Sequence, residues 1–253
     1  MTVRELYQYL DEKMPRALSC AWDNDGLMCC PDPDRAVRRV LITLDVTAAA
    51  VAKAIEGGYD VIVSHHPMIF KGLRALNDEN YVADKAMTLI RAGVAVMSFH
   101  TRLDAVSGGV NDTLASLLGL CEVEPFGEEA IGRIGTLENT ERLSDFAARV
   151  KSTLGTPAVL VGDAGKDVHR VALLGGAGGD DVAAAMAAGA DTYLSGTLGY
   201  HDLVDAPENG MNLLAAGHYY TEAPVCAVLA SWIDEADRGI TRDMFCSANV
   251  AVI

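Results

Sequence analysis

Val40-Leu-Ile-Thr-Leu-Asp45 and Val171-Ala-Leu-Leu-Gly-Gly176 are two short apolar runs at an offset of 131 (Val40 to Val171). Continued at that offset without gaps, Val51-Ala52 falls on Val182-Ala183, Gly58-Tyr59-Asp60 on Gly189-Ala190-Asp191, and Ser64 on Ser195. Self-similarity at a fixed offset marks a duplicated structural unit. Residues 39–44, 60–64 and 94–99 read as buried strands, and 48–57 as a helix. Strands that alternate with helices predict an α/β fold with mainly parallel sheets covered on both faces. We therefore expect two related α/β domains, a pseudo-repeat.

After a shift, Ala95-Val-Met-Ser-Phe-His100 resembles Leu213-Leu-Ala-Ala-Gly-His218. Four residues beyond each histidine stands a carboxylate, Asp104 or Glu222. This alignment sets His100 over His218 and Asp104 over Glu222. Residues 122–167, between the copies, hold Pro125, a strand candidate at 131–137 and a helix near 144–154. The change of domain is expected near 121–126. The last segment reads as a helix from Ala223 through Trp232, then a terminal strand, Ala248–Ile253. Because Glu222 should return to the first copy's site, that segment is expected to pack with the first domain. The expected domains are 1–124 plus 219–253, and 125–218.

Composition narrows the function. The 253 residues are half hydrophobic and carry a formal net charge of −15. Nucleic-acid phosphates would be repelled, and no run of Lys or Arg opposes this. No apolar run reaches the roughly 18–20 residues of a membrane span. The N-terminus reads as a helix start, with Thr2 and Glu5 as a capping box, rather than as a signal peptide. Six cysteines stand without a C-x-x-C pair, so we expect a reducing cytoplasm and free thiols.

Ser64-His65-His66-Pro67 follows an apolar strand. In an open parallel sheet, ligands bind at the carboxyl ends of strands. Adjacent histidines leaving a strand point to different sides, which suits two neighbouring metals. Imidazoles suit Zn, Fe, Ni and Co, and carboxylates suit Mg and Mn. His65, His66 and His218 are therefore candidate ligands, with Asp104 and Glu222 as candidate bridges. The pattern puts the metal site between the two domains. His100 is expected at the same sheet edge, as a donor orienting Asp104 or as a general acid. His169, just before a strand, reads as a surface residue. Gly175-Gly-Ala-Gly-Gly179 looks like a dinucleotide loop, but Asp180 and Asp181 at the following helix start would repel a pyrophosphate. They read as ordinary N-cap residues. Asp23-Asn-Asp-Gly26 lacks the downstream Glu of a calcium loop and reads as a turn, a possible lining of the site.

Several stretches together resemble the type 2 GTP cyclohydrolase I family, also called the Nif-three-like family of dinuclear-metal proteins. They are Trp22-Asp-Asn-Asp-Gly-Leu27, Leu44-Asp-Val-Thr47, Ser64-His-His-Pro-Met-Ile-Phe70, His100-Thr-Arg-Leu-Asp-Ala105 with Gly108-Gly-Val-Asn-Asp112, Ser195-Gly-Thr-Leu-Gly-Tyr-His201, and Gly217-His-Tyr-Tyr-Thr-Glu222. The resemblance implies two metal ions on His65, His66, Asp104, His218 and Glu222, and a toroidal homohexamer. It also implies a role for His201. Tyr219 stands where many members carry a second histidine, and Gly196-Thr197 where Gly and an acidic residue are common.

With no Gly-x-Ser-x-Gly elbow, the expected chemistry is metal-dependent hydrolysis of an anionic, nucleotide-like or phosphorylated small molecule. His100 and His201 are the candidate catalytic residues, and two divalent ions (Zn, Fe, Mn, Ni, Co or Mg) the expected cofactors. The family name points to opening of the GTP purine ring, which needs a proton donor that the sequence does not place. The alternative is a non-catalytic metal-binding or regulatory oligomeric scaffold.

Overall fold

The computed structural model describes residues 1–246. Its elements in chain order begin with α1 (Val3–Lys13), β1 (Gly26–Cys29), β2 (Arg39–Thr43), α2 (Ala48–Glu56), β3 (Val61–Ser64), α3 (Tyr81–Ala92), β4 (Ala95–Ser98) and α4 (Thr101–Ala105). There follow α5 (Val110–Leu117), β5 (Leu120–Phe126), β6 (Gly132–Glu141), α6 (Leu143–Leu154), β7 (Leu160–Gly162), β8 (Val168–Ala177) and α7 (Val182–Ala187). The remaining described elements are β9 (Thr192–Thr197), α8 (Tyr200–Glu208), β10 (Asn212–Ala215), α9 (His218–Glu222), α10 (Val225–Ala236) and β11 (Thr241–Phe245). The expected terminal strand 248–253 lies outside the described residues. None of the described helices is long and apolar enough to cross a membrane.

The chain divides into two compact units. One holds Met1–Leu103 and the described residues from Cys226 on, the other Asp104–Val225. The first unit has a five-stranded sheet in the order β1-β4-β3-β2-β11, the second a six-stranded sheet in the order β5-β6-β8-β9-β10-β7. In each, three parallel strands form the centre: β2, β3 and β4, and β8, β9 and β10. This is the α/β architecture that the alternation of strand and helix predicts. Antiparallel strands border the triplets: β1 in the first unit, β6 and β7 in the second.

The central strands are apolar throughout because both faces are covered. Leu41, Ile42, Ile62 and Val96 are fully buried in the first unit, and Leu173, Leu194 and Leu214 in the second. Thr2 and Glu5 form the expected capping box on α1. Asp181 precedes α7 but gives it no side-chain cap bond, so the ordinary-cap reading of Asp180-Asp181 is corrected.

The repeated Gly-x-Asp does the same work in both units. Asp60 accepts hydrogen bonds from the backbone N–H groups of Arg38 (2.8 Å) and Arg39 (3.0 Å). Asp191 accepts from the N–H groups of His169 (3.0 Å) and Arg170 (2.7 Å). Each aspartate also returns its own N–H, Asp60 to the Arg39 carbonyl and Asp191 to the Arg170 carbonyl. A two-way clasp thus ties the start of one central strand to the foot of the next. The strand pairing repeats too: Val40 stands opposite Val61 and Thr43 opposite Ser64, as Val171 stands opposite Thr192 and Leu174 opposite Ser195.

The third strand corrects the alignment by one residue. Phe99 N–H donates to the Ser64 carbonyl, and Ala216 N–H to the Ser195 carbonyl. Phe99 therefore corresponds to Ala216, His100 to Gly217 and Thr101 to His218. Apolar residues along both strands interchange without marking register, so the shared histidine pulled the sequence match one place too far.

Burial opposes the Asp60 charge, but the two backbone N–H groups and the Arg35 guanidinium outweigh it and lower its pKa below 3.8. The clasp is complete above that ordinary value and is lost as pH falls through the lowered folded value. Asp60→Asn is expected to cost about 1–3 kcal/mol near neutral pH. Urea midpoints should show this loss, and a weaker acid dependence below about pH 4 than in the parent.

Candidate metal centre

His65 and His66 leave the end of β3, and His100 leaves the end of β4. The turn after β3 is pinned by Ser64, whose hydroxyl donates to the His66 carbonyl (2.9 Å) and meets the Ser98 hydroxyl (2.8 Å). The three imidazoles converge, with ring centroids 4.9 Å apart for His65–His66, 5.3 Å for His65–His100 and 5.8 Å for His66–His100. One ring nitrogen from each lies within 4.8 Å of those of the other two. Donors that share an ion at bonds of about 2.1 Å stand up to roughly 4 Å apart. The three imidazoles are thus a group that could hold a metal ion after a small inward shift of the rings.

The hydrogen bonds decide which nitrogen is available. His65 Nδ1 meets the Phe99 carbonyl at 3.0 Å, His66 Nδ1 meets Asp45 at 2.7 Å, and His100 Nδ1 meets Asp23 at 2.9 Å. A carbonyl or carboxylate oxygen only accepts, so in the neutral ring Nδ1 carries the proton and the Nε2 lone pair is left for a ligand. Metal-binding histidines are oriented by this type of outer contact. The donor chemistry thus fits divalent ions.

Asp23 is well supplied. It accepts from His100, from Thr101 Oγ1 (2.7 Å) and from Thr101 N–H (3.1 Å). Burial works against its charge, but these bonds prevail and hold its pKa well below the usual carboxylate range. Asp25, two residues on, accepts from Arg102 Nε (2.9 Å) and from His100 N–H (3.3 Å). The Trp22–Asp25 turn is therefore the outer support of His100. Sequence reasoning placed the turn and missed this role, as it missed the part of Asp45 in fixing His66. Motif stretches 22–27 and 44–47 were the available signals.

The second unit carries its own donors. His218 and Glu222 lie one turn apart on α9, with His218 Nε2 3.1 Å from Glu222 Oε2. Glu222 is buried. Its place is made by the glycines after β8's apolar run. Gly176 has φ +72°, and a Cβ there would meet Glu222 Oε1 at 2.1 Å. A Cβ on Gly196 would meet Thr221 Oγ1 at 2.6 Å and the His218 Cα at 2.7 Å. Thr221 Oγ1 accepts from Gly176 N–H (3.1 Å). Gly175 and Gly176, which open the run that looks like a dinucleotide loop, are thus a cradle for Glu222 and α9. Asp104 is buried on α4. His201 stands exposed in the first turn of α8, edge-on to Tyr200. Among the described residues it joins no cluster of metal donors.

The model of Duf34/NIF3 (NGG1p interacting factor 3) matches residues 1–249. The chain belongs to the Duf34/NIF3 family. Among its relatives, a Lactococcus lactis protein described as a GTP cyclohydrolase 1 type 2 homolog is 32% identical, covering 95% of this chain and 94% of its own. A Clostridium perfringens protein of the same description is 30% identical over 93% and 92%. The crystal structure of Staphylococcus aureus protein SA1388 superposes with a TM-score of 0.88 at 28% identity, covering 100% of this chain and 99% of the other. Shared Duf34/NIF3 architecture thus extends over both units.

Two variants test the supports. Asp45→Ala should weaken metal binding about 10–100-fold, read by titration of the chelated protein, with an unchanged circular-dichroism spectrum. Gly176→Ala should displace the Glu222 carboxylate and lower metal content, while Gly58→Ala, where a Cβ meets nothing within 4 Å, leaves metal content unchanged.

Proposed function

We propose that the protein is a metal-dependent hydrolase of an anionic, nucleotide-like or phosphorylated small molecule. In this reading two divalent ions are held by His65, His66, Asp104, His218 and Glu222. Family membership supports the ligand set. The observation that carries the reading is the anchoring of all three strand-end imidazoles through Nδ1. When bound, the ions supply positive charge and Lewis acidity for hydrolysis at an anionic centre.

The chain's own residues do the rest. His65, His66 and His218 would offer imidazole nitrogen to the ions, and Asp104 and Glu222 carboxylate oxygen. His100 holds or moves a proton at Nε2, because Asp23 fixes its tautomer and would stabilise the ring when it is charged. With Nδ1 tied to Asp23, Nε2 of the neutral His100 ring accepts a proton and can return it in a later step, as a ring-opening hydrolysis requires. Asp25 and Thr101 brace the His100–Asp23 pair from behind. His201 remains a second candidate for a catalytic role, supported by the family motif alone. The family resemblance also supports a homohexamer; the cytoplasmic location rests on the cysteine pattern of the sequence.

The test is a turnover screen of metal-loaded protein against nucleotides and phosphorylated sugars. His100→Asn should lower turnover about 100-fold or more with metal content unchanged. Loss of metal in that variant would make His100 a ligand instead. Glu222→Gln should lower both metal content and turnover. Absence of turnover throughout, with metal retained, would favour the scaffold alternative.

A further inference from the structure

Beside the His65–His66–His100 cluster, the first unit exposes two large aromatic side chains that its core does not use. Trp22 is 58% exposed and Phe70 45% exposed. Their ring centroids lie 6.2 Å apart at an interplanar angle of 72°. Both also meet His100 edge-on, Trp22 at 6.2 Å and 78° and Phe70 at 6.1 Å and 87°. Three near-perpendicular rings thus make a corner, with His100 as its inner wall.

The corner is held in place. Asp23, next to Trp22, is anchored by Thr101 and His100. Asn24 Nδ2 donates to the Ile69 carbonyl and so ties the Trp22 turn to the segment carrying Phe70. Asp23 N–H donates to the Cys20 carbonyl (3.0 Å). Exposed aromatic area normally costs free energy in water. Here it is presented on braced backbone, which lowers the entropy lost when a ligand binds.

We propose that Trp22 and Phe70 form a stacking subsite for a flat aromatic heterocycle, which brings a ring atom of the ligand toward His100. The inference rests on the hydrolase reading for its consequence, not for the binding itself. A π-face is what a planar base offers to an indole or phenyl ring, and such stacking tolerates differences in ring substituents. The subsite selects for the base, and the metal donors for the anionic part.

Binding is read without turnover. The chain has two tryptophans, so Trp232→Phe leaves Trp22 as the single indole reporter. Inosine 5′-monophosphate should quench its fluorescence saturably, and ribose 5-phosphate should not. In the parent protein, calorimetry should show Trp22→Ala and Phe70→Ala each weakening inosine 5′-monophosphate binding about 5- to 150-fold. Trp22→Phe should recover most of the affinity. Sedimentation of the alanine variants is measured alongside. Unchanged affinity in both alanine variants would overturn the proposal, as would equal binding of the two probes. A changed assembly state with unchanged affinity would instead assign the aromatic corner to contact between copies. Base-selective binding without hydrolysis of any substrate would uphold the subsite while the hydrolase reading fails.

Discussion

The two-way hydrogen bond between an aspartate at the foot of one strand and the backbone of its neighbour is the constraint on which both units depend. Asp60 and Asp191 each satisfy two N–H groups that open a central strand. A parallel pair has no tight turn to fix its register. Without a local lock, apolar strands such as 40–43 and 61–64 slide with little change in burial. A slip of one residue would turn His65 and His66 to opposite faces. The carboxylate clasp holds the feet of the strands, and the chemistry stands at their other ends.

From that register the rest follows by reach. Ser64 closes the turn after β3 and presents two histidines in succession. β4 ends beside it and contributes a backbone acceptor, the Phe99 carbonyl, to His65. The second unit repeats the frame with different chemistry. Where the first has His65 and His66, the second has Gly196 and Thr197, and close approach by α9 requires that glycine. One copy thus spends its strand end on imidazoles, and the other on space for a buried glutamate.

Much of this was legible in the sequence because it is local or periodic. Apolar runs gave the central strands, and the shared Gly-x-Asp gave the duplication. Histidines at strand ends pointed to His65, His66 and His218 as ligands with His100 at the same sheet edge, and the structure brings His65, His66 and His100 together. What was not legible depends on contacts distant in sequence. Asp23 supports His100 and Asp45 supports His66, but no spacing rule links residues so far apart. The glycines at 175–179 were visible, yet the packing of Gly175 and Gly176 against Glu222 was not. The edge strand β11 was missed because Thr241-Arg-Asp-Met-Phe245 alternates weakly and carries charge. It pairs with β2 on one side only, so its exposed residues need not be apolar. The one-residue error between His100 and His218 has the same origin, since ladder hydrogen bonds set register and side-chain identity does not.

Imidazoles held through Nδ1 have Nε2 left to meet metal. The most direct test of this arrangement is an anomalous-scattering map from metal-loaded crystals, recorded at the absorption edge of the bound element. Peaks are expected about 2.0–2.3 Å from Nε2 of His65 and of His66, with both Nδ1 atoms still on the Phe99 carbonyl and Asp45. Peaks bonded to Nδ1, or saturating metal with no peak at either imidazole, would contradict it.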